Sequence, residues 1–243
     1  MMLKAVQNAT HDFLNFYKYP ADMPVSGRYD IPVIKGIKIK PDAKLKTVAF
    51  DECHLIPTEQ RKNYIVHFYI YDYKFERVWS FLNKNTTFLK QFKAVIAPDF
   101  SQYVDMPRAM CIWNAWRCNF MAWWWQNEGI KVIPNGHWSD NQSFTYSWDG
   151  MPKNSCIAIC SKGCVIEDRR HSKQDTDIVA TGSRFKQGIQ AMVENLHPAQ
   201  IFWMGVKPEW LEDFAKSNNI EVITPTERRL YQERLDSRKQ NGQ

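Results

Sequence analysis

The stretch "VIAPDFSQYVDMPRAMCIWNAWR", residues 95–117, carries the argument for the fold. An apolar run at 94–98 breaks at Asp99 into a polar loop, and apolar residues then return at a different spacing. A short run of Val, Ile and Ala without interior charge suits a strand covered on both faces. Ile112, Trp116, Phe120 and Trp123 recur at turn-like intervals, as on the side of a helix that faces a core. Asp105 is expected to cap that helix, with Pro107 in its first turn, where a missing N–H does no harm. The unit is strand, loop, helix, with Asp99 near the carboxyl end of the strand.

The same rhythm runs in both directions from this unit. Apolar runs fall at 31–37, 48–51, 64–71, 94–98, 130–134, 155–160, 201–206 and 220–223. Helical patterns fall at 75–90, 107–128, 184–196, 208–218 and 225–238. Such alternation predicts an α/β fold of repeated strand–helix units. The number of strand candidates favours a small TIM-like barrel. An open, mostly parallel sheet is the alternative, particularly if 31–37 is irregular. Residues 136–155, "GHWSDNQSFTYSWDGMPKNS", read as a long loop with one short turn. Residues 1–30 read as an amino-terminal extension or cap, with a short helix at 5–17 before Pro20, Pro24 and Gly27 interrupt it. Residues 31–243 then form a single α/β domain, and "TERRLYQERLDSRKQNGQ" at its end supplies a packing helix.

Composition narrows the function classes. The chain has 243 residues, 44% of them hydrophobic, with 10 Trp and 14 Phe to fill a core of that size. A net charge of +6 suits phosphate or nucleic-acid partners without establishing them. No apolar run reaches the length of about 18 residues that a spanning helix needs, so no membrane partner is expected. The amino terminus lacks the apolar stretch of a secretory signal. Six cysteines in so long a chain fit a reducing, cytoplasmic setting better than a disulfide scaffold. Lys35, Lys38, Lys40, Lys44 and Lys46, with Arg169, Arg170 and Lys173, provide basic segments that can meet phosphates. The "WWW" at 123–125 lies in a helical segment, where adjacent rings cannot share one binding face.

Polar residues at strand ends supply the candidate site, because loops beyond the carboxyl ends of parallel strands converge on ligands. Asp72, Asp99 and Asp140 are candidates for acid–base work or for holding a divalent metal through carboxylate oxygens. His137, between Gly136 and Trp138, has an ordinary pKa that permits proton transfer near neutrality. Arg77 and Arg117 offer planar cationic forks to a phosphate, and Asn114, Trp138 and Ser139 complete the expected substrate contacts. Ser139 lacks the glycines of a nucleophile elbow. Cys160 and Cys164, with Cys53 or His54 approaching from another strand, give two or three soft ligands but no closed zinc set.

The segments "DYKFERVW" (72–79), residues 95–117, "WWQNEGIKVIPNGHWSD" (124–140) and "SWDGMPKNSCIAICSKGC" (147–164) together resemble DUF4417, a family of uncharacterised bacterial and phage proteins. The resemblance resumes more weakly at "GIQAMVENLHPAQIFWMG" (188–205). Positions matching the family's motifs include Asp72, Glu76, Arg77, Asp99, Asp105, Asn114, Arg117, Trp138, Ser139 and Asp140. The sequence departs from the pattern at "WWQ", at Asn135–Gly136 and at Cys160. The resemblance implies a prokaryotic or phage-associated protein and assigns no reaction; joined to the cytoplasmic setting that the cysteines suggest, it admits a phage-infected bacterial host as the expected location.

Together these observations lead to an intracellular enzyme acting on a phosphate-containing substrate, a nucleotide or nucleic acid. The alternative is a noncatalytic phage or mobile-element protein that binds nucleic acid or a host protein. A deep pocket at Asp72, Asp99 and Asp140 would favour the first, and a basic or apolar surface the second.

Overall fold

The computed structural model of the chain describes residues 20, 22–42, 45–162, 164 and 175–240. The expected helix at 5–17 and the basic residues Lys44, Arg169, Arg170 and Lys173 lie outside the described residues. A small antiparallel hairpin, β1 (Val25–Ser26) and β2 (Ile31–Pro32), comes first. Eight parallel strand segments follow: β3 (Lys46–Ala49), β4 (Tyr64–His67), β5 (Ala94–Ile96), β6 (Val132–Ile133), β7 (Cys156–Cys160), β8 (Gln200–Met204), β9 (Glu221–Ile223) and β10 (Thr226–Arg228). Helices α1 (Arg77–Ser80) and α2 (Leu82–Leu89) follow β4, and α3 (Arg108–Asn127) follows β5. Helix α4 (Asp175–Leu196) precedes β8, α5 (Trp210–Ser217) follows it, and α6 (Leu230–Gln240) comes last. The fold is α/β, as the alternation of patterns predicts.

The strands form two parallel sheets, in the orders β10–β3–β4–β5–β6 and β7–β8–β9. At one seam a single bridge joins Asn135 to Ala158. There Ala158 N donates to Pro134 O (2.8 Å) and Gly136 N donates to Ala158 O (2.9 Å). At the other seam the chain changes partner: β9 pairs with β8, and after Thr224–Pro225, β10 pairs with β3. A proline stands at each seam, and its missing N–H interrupts a ladder. Among the described residues no closed barrel forms. The favoured barrel is corrected to two open parallel sheets that touch at thin seams.

Two segments exchange roles relative to expectation. Residues 31–37 give only β2 and stay out of the parallel array, whereas Thr226–Arg228, expected as the start of the last helix, joins it. Thr226 N donates to Leu45 O, and the helix starts only at Leu230, whose N–H is capped by the Glu52 carboxylate (2.6 Å). The expected helix at 75–90 breaks into α1 and α2 at Phe81, whose backbone leaves the helical region. Residues 136–155 are the loop expected, with a 3-10 turn at Asn141–Thr145.

Side-chain alternation explains why the strands carry so little charge. Ile65, Ile96, Ile133, Ala158, Phe202 and Ile223 meet in one interior cluster shared by both sheets. Their neighbours Val48, Val66, Val95 and Val132 pack the opposite way, among α1, α2 and α3, while Ile157, Ile159, Ile201 and Trp203 pack against α4 and α5. Helix α3 is apolar nearly all round because it too is covered twice. Trp125, fully buried, stacks on Phe68 at a centroid distance of 5.6 Å. On the other side Asn119 Nδ2 donates to Pro32 O and Asp149 O (3.1 Å each), and Trp116 Nε1 donates to Asp30 O. Asp105 is exposed and makes no cap bond; Pro107 itself occupies the N-cap position, which corrects the expected cap. Among the described residues, no helix is long and apolar enough to cross a membrane.

Candidate active site

The segments that leave the carboxyl ends of β4, β5, β6 and β7 line one cleft of about 750 Å³. Beyond β5, Pro98 ends the ladder and Asp99 turns toward this cleft, with 34% of its side chain open to solvent. Asn135 Nδ2 donates to Asp99 Oδ1 (2.9 Å), and Asn135 Oδ1 accepts from Tyr69 Oη (2.8 Å). Asn135 is also the bridge residue of the first seam, so the thin junction between the sheets places a buried amide between a phenol and a carboxylate. Burial pushes the Asp99 carboxyl up from its ordinary 3.8 to about 6; the Asn135 hydrogen bond opposes the rise and the Asp72 charge adds to it.

His137 closes the same corner. Its Nδ1 lies 3.2 Å from Gln102 Nε2 and 3.8 Å from Asp99 Oδ1. Gln102 Oε1 accepts from Tyr146 Oη, which leaves the Gln102 amide N–H to donate to Nδ1 and puts the imidazole proton on Nε2. Burial lowers the His137 pKa to about 4, so the ring is neutral through the physiological range. The group that exchanges protons closest to neutrality in this corner is therefore Asp99, not His137 as its ordinary pKa suggested.

Trp138 and Ser139 line the cleft as expected. Trp138 stacks on Phe185 of α4 (5.5 Å, 22°), over Gly188, where a Cβ would come within 2.0 Å of the indole. The other expected site residues do not line the cleft, and most brace it from behind. Asp72 accepts from Ser101 N (3.0 Å) and Ser101 Oγ (2.8 Å), and Asn114 Nδ2 donates to Ser101 O (2.6 Å). Arg117 donates to Asn114 Oδ1 and to Glu76 Oε1, its guanidinium 3.5 Å from the centroid of Phe100. Asp140 caps the turn at 141–145 by accepting from Gln142 N and Ser143 N. Arg77 lies over the Phe50 ring.

The expected divalent-metal set is not assembled. Asp140 caps its own turn, Asp72 is held by Ser101, and among the described residues no three His, Cys, Asp or Glu side chains are placed to hold a metal ion. Cys160 and Cys164 do line the cleft, where burial raises both thiols, that of Cys164 to about 11. Cys53 is buried elsewhere and donates to Phe50 O, so it does not join them.

Sequence reasoning missed Tyr69, Gln102 and Asn135, together with the cations Lys74, Lys162 and Arg184 that also line the cleft. Lys162 Nζ contacts Glu227 Oε1 at 2.6 Å, and that oxygen lies 3.3 Å from Nε2 of the fully buried His67. Burial opposes ionisation of Glu227, but contacts with His67 and Lys162 outweigh it and hold the carboxyl down to about 2. Tyr69, Asn135 and Lys162 carried only the signal of a position just past a strand, which many structural residues share, and Arg184, inside α4, carried none.

The family described as "Domain of unknown function (DUF4417)" matches residues 23–223. Over 140 residues, 58% of this chain, the sequence is 34% identical to the "Gene 1 protein" of Mycobacterium phage L5 and 33% identical to that of Mycobacterium phage D29. The aligned region covers 56% and 48% of those proteins, so the chain spans about half the length of the curated relatives it matches. No solved structure matches the chain. The family match takes in every residue that lines the cleft, and the chain belongs to the DUF4417 family.

Proposed function

We propose that the cleft is an active site in which Asp99 exchanges a proton with a phosphate-containing substrate, a nucleotide or nucleic acid. One observation carries this reading: a cleft-facing carboxylate, fixed by a buried amide, whose pKa of about 6 suits a base at neutral pH. Asp99 accepts the proton of a water or hydroxyl as its oxygen bonds to phosphorus, and the departing oxygen takes a proton from solvent. Neutral His137 offers its Nε2–H as a hydrogen-bond donor. Lys74, Lys162 and Arg184 lie on the same cleft; the two lysines are paired with Asp51 and Glu227, so a phosphate shares their charge with those carboxylates. No step is routed through a metal, because Asp140 caps its own turn and Asp72 is held by Ser101, both off the cleft lining.

The test is to incubate the protein with nucleoside triphosphates and single-stranded oligonucleotides and to follow products by phosphorus NMR and mass spectrometry. Turnover is expected to rise through about pH 6 and to fall by roughly 10²–10⁴-fold in Asp99→Asn. Undiminished turnover in that variant, or none with any phosphate compound, overturns the reading in favour of a noncatalytic phage protein that binds nucleic acid or a host protein.

A further inference from the structure

Beyond β4 Tyr71 lines the cleft, and the 3-10 turn that follows, Asp72–Lys74, sets Tyr73 beside it. Tyr71 and Tyr73 stack with centroids 5.8 Å apart and 12° between their planes. Stacking of two surface rings ordinarily hides area, yet 69% of Tyr71 and 77% of Tyr73 stay exposed, more than any other large hydrophobic side chain among the described residues. The turn beneath them is pinned. Asp72 accepts twice from Ser101, and Lys74 Nζ meets Asp51 Oδ2 at 2.8 Å. Rings already held parallel lose little freedom when a third flat group is added.

We propose that Tyr71 and Tyr73 are a stacking platform for bases of a single-stranded nucleic acid whose backbone continues into the cleft. The inference rests on the phosphate-substrate reading and narrows it from nucleotide to polynucleotide. Exposed aromatic faces stack on any base, and cations beside them follow the backbone. Tyr71 and Lys74 both line the cleft that holds Asp99, and Lys162 and Arg184 lie on its wall. A mononucleotide seated wholly inside would leave the rim rings uncovered. A strand reaches both.

The experiment measures fluorescence anisotropy of a labelled oligothymidylate of about 20 nucleotides and of an abasic deoxyribose-phosphate strand of the same length. Wild type, Tyr71→Ala/Tyr73→Ala and Tyr71→Phe/Tyr73→Phe are compared. The double Ala variant is expected to bind oligothymidylate about five- to 150-fold more weakly, the loss of one base–ring stack, while the Phe variant binds as wild type does. The abasic strand is expected to bind all three equally. Undiminished binding by the Ala variant, an equal loss for the abasic strand, or no binding by wild type overturns the platform, and the exposed rings then fall to a protein partner. Binding and turnover are read separately. Ring-dependent binding with Asp99-independent turnover removes the chemistry alone; Asp99-dependent turnover with ring-independent binding removes the platform alone.

Discussion

Replacing Asp99 with Asn removes a charge that folding partly desolvates, and the consequence for stability can be worked from the site. The carboxyl titrates near 6 in the folded protein and near 3.8 when exposed. A raised pKa means that the folded form holds the proton more tightly. The group's contribution is fully present below about pH 3.8 and is lost as pH rises through about 6. At about 1.4 kcal/mol for each tenfold change in proton affinity, the penalty at neutral pH is bounded at about 3 kcal/mol. Because 34% of the side chain faces solvent, screening reduces this to about 1–2 kcal/mol. Asparagine keeps the shape and an oxygen to accept from Asn135 Nδ2, without the charge. Urea unfolding of both proteins from about pH 4 to 8 should show the advantage of Asp99→Asn over wild type growing as pH rises and levelling off above neutrality. At the upper end its Tm should be higher by roughly 2–8 °C. A variant less stable than wild type at about pH 8, or a difference that does not change with pH, would refute the electrostatic account of this carboxylate.

Three further outcomes follow from neighbouring contacts. Burial depresses the His137 pKa from 6.5 to about 4, so its contribution is present above about 6.5 and lost as pH falls toward 4. His137→Gln should flatten the acid limb of the stability profile by up to about 3 kcal/mol, read as urea midpoints at about pH 4 and 7. Gly188→Ala would ordinarily favour a helix by about 1 kcal/mol, but the new Cβ would come within 2.0 Å of the Trp138 indole. A net loss of about 1–2 kcal/mol and an altered tryptophan emission are expected; a more stable protein would show that Trp138 yields freely. Arg117→Met leaves Asn114 Oδ1 without its guanidinium donor and frees Glu76. It should cost about 2–3 kcal/mol in denaturant unfolding while leaving phosphate affinity unchanged; weakened phosphate binding at unchanged stability would return Arg117 to the substrate.

The site was legible in the sequence as a neighbourhood rather than as a set of roles. Asp99 and His137 were reachable because an apolar run ending in a polar residue marks a strand end, and strand ends of a parallel array face the ligand side. Asp140 carried the same mark and caps its own turn, since a short carboxylate beside free N–H groups satisfies them first, whereas Asp72 accepts from Ser101, a partner 29 residues along the chain that its own neighbourhood does not reveal. Arg117 looked suited to a phosphate, yet its guanidinium is taken up by Asn114, one turn back on the same helix, and by Glu76, 41 residues away and not readable from the local stretch. The shift in His137 could not be read from its identity, because desolvation depends on what covers the ring.

By itself the sequence determined the α/β class, the positions of most strands and helices, and family membership, because apolar periodicity and local backbone preference are properties of neighbouring residues. It also marked the end of β5 as a place where chemistry can sit. The tertiary structure alone decided that the sheets part at Pro134 and Pro225, that Thr226–Arg228 and not 31–37 joins the parallel array, and that Asn135 stands between Tyr69 and Asp99. Those outcomes turn on which distant segments compete for the same ladder edge or buried carboxylate. Such contests are settled by packing across the whole chain, and no local stretch contains both contestants.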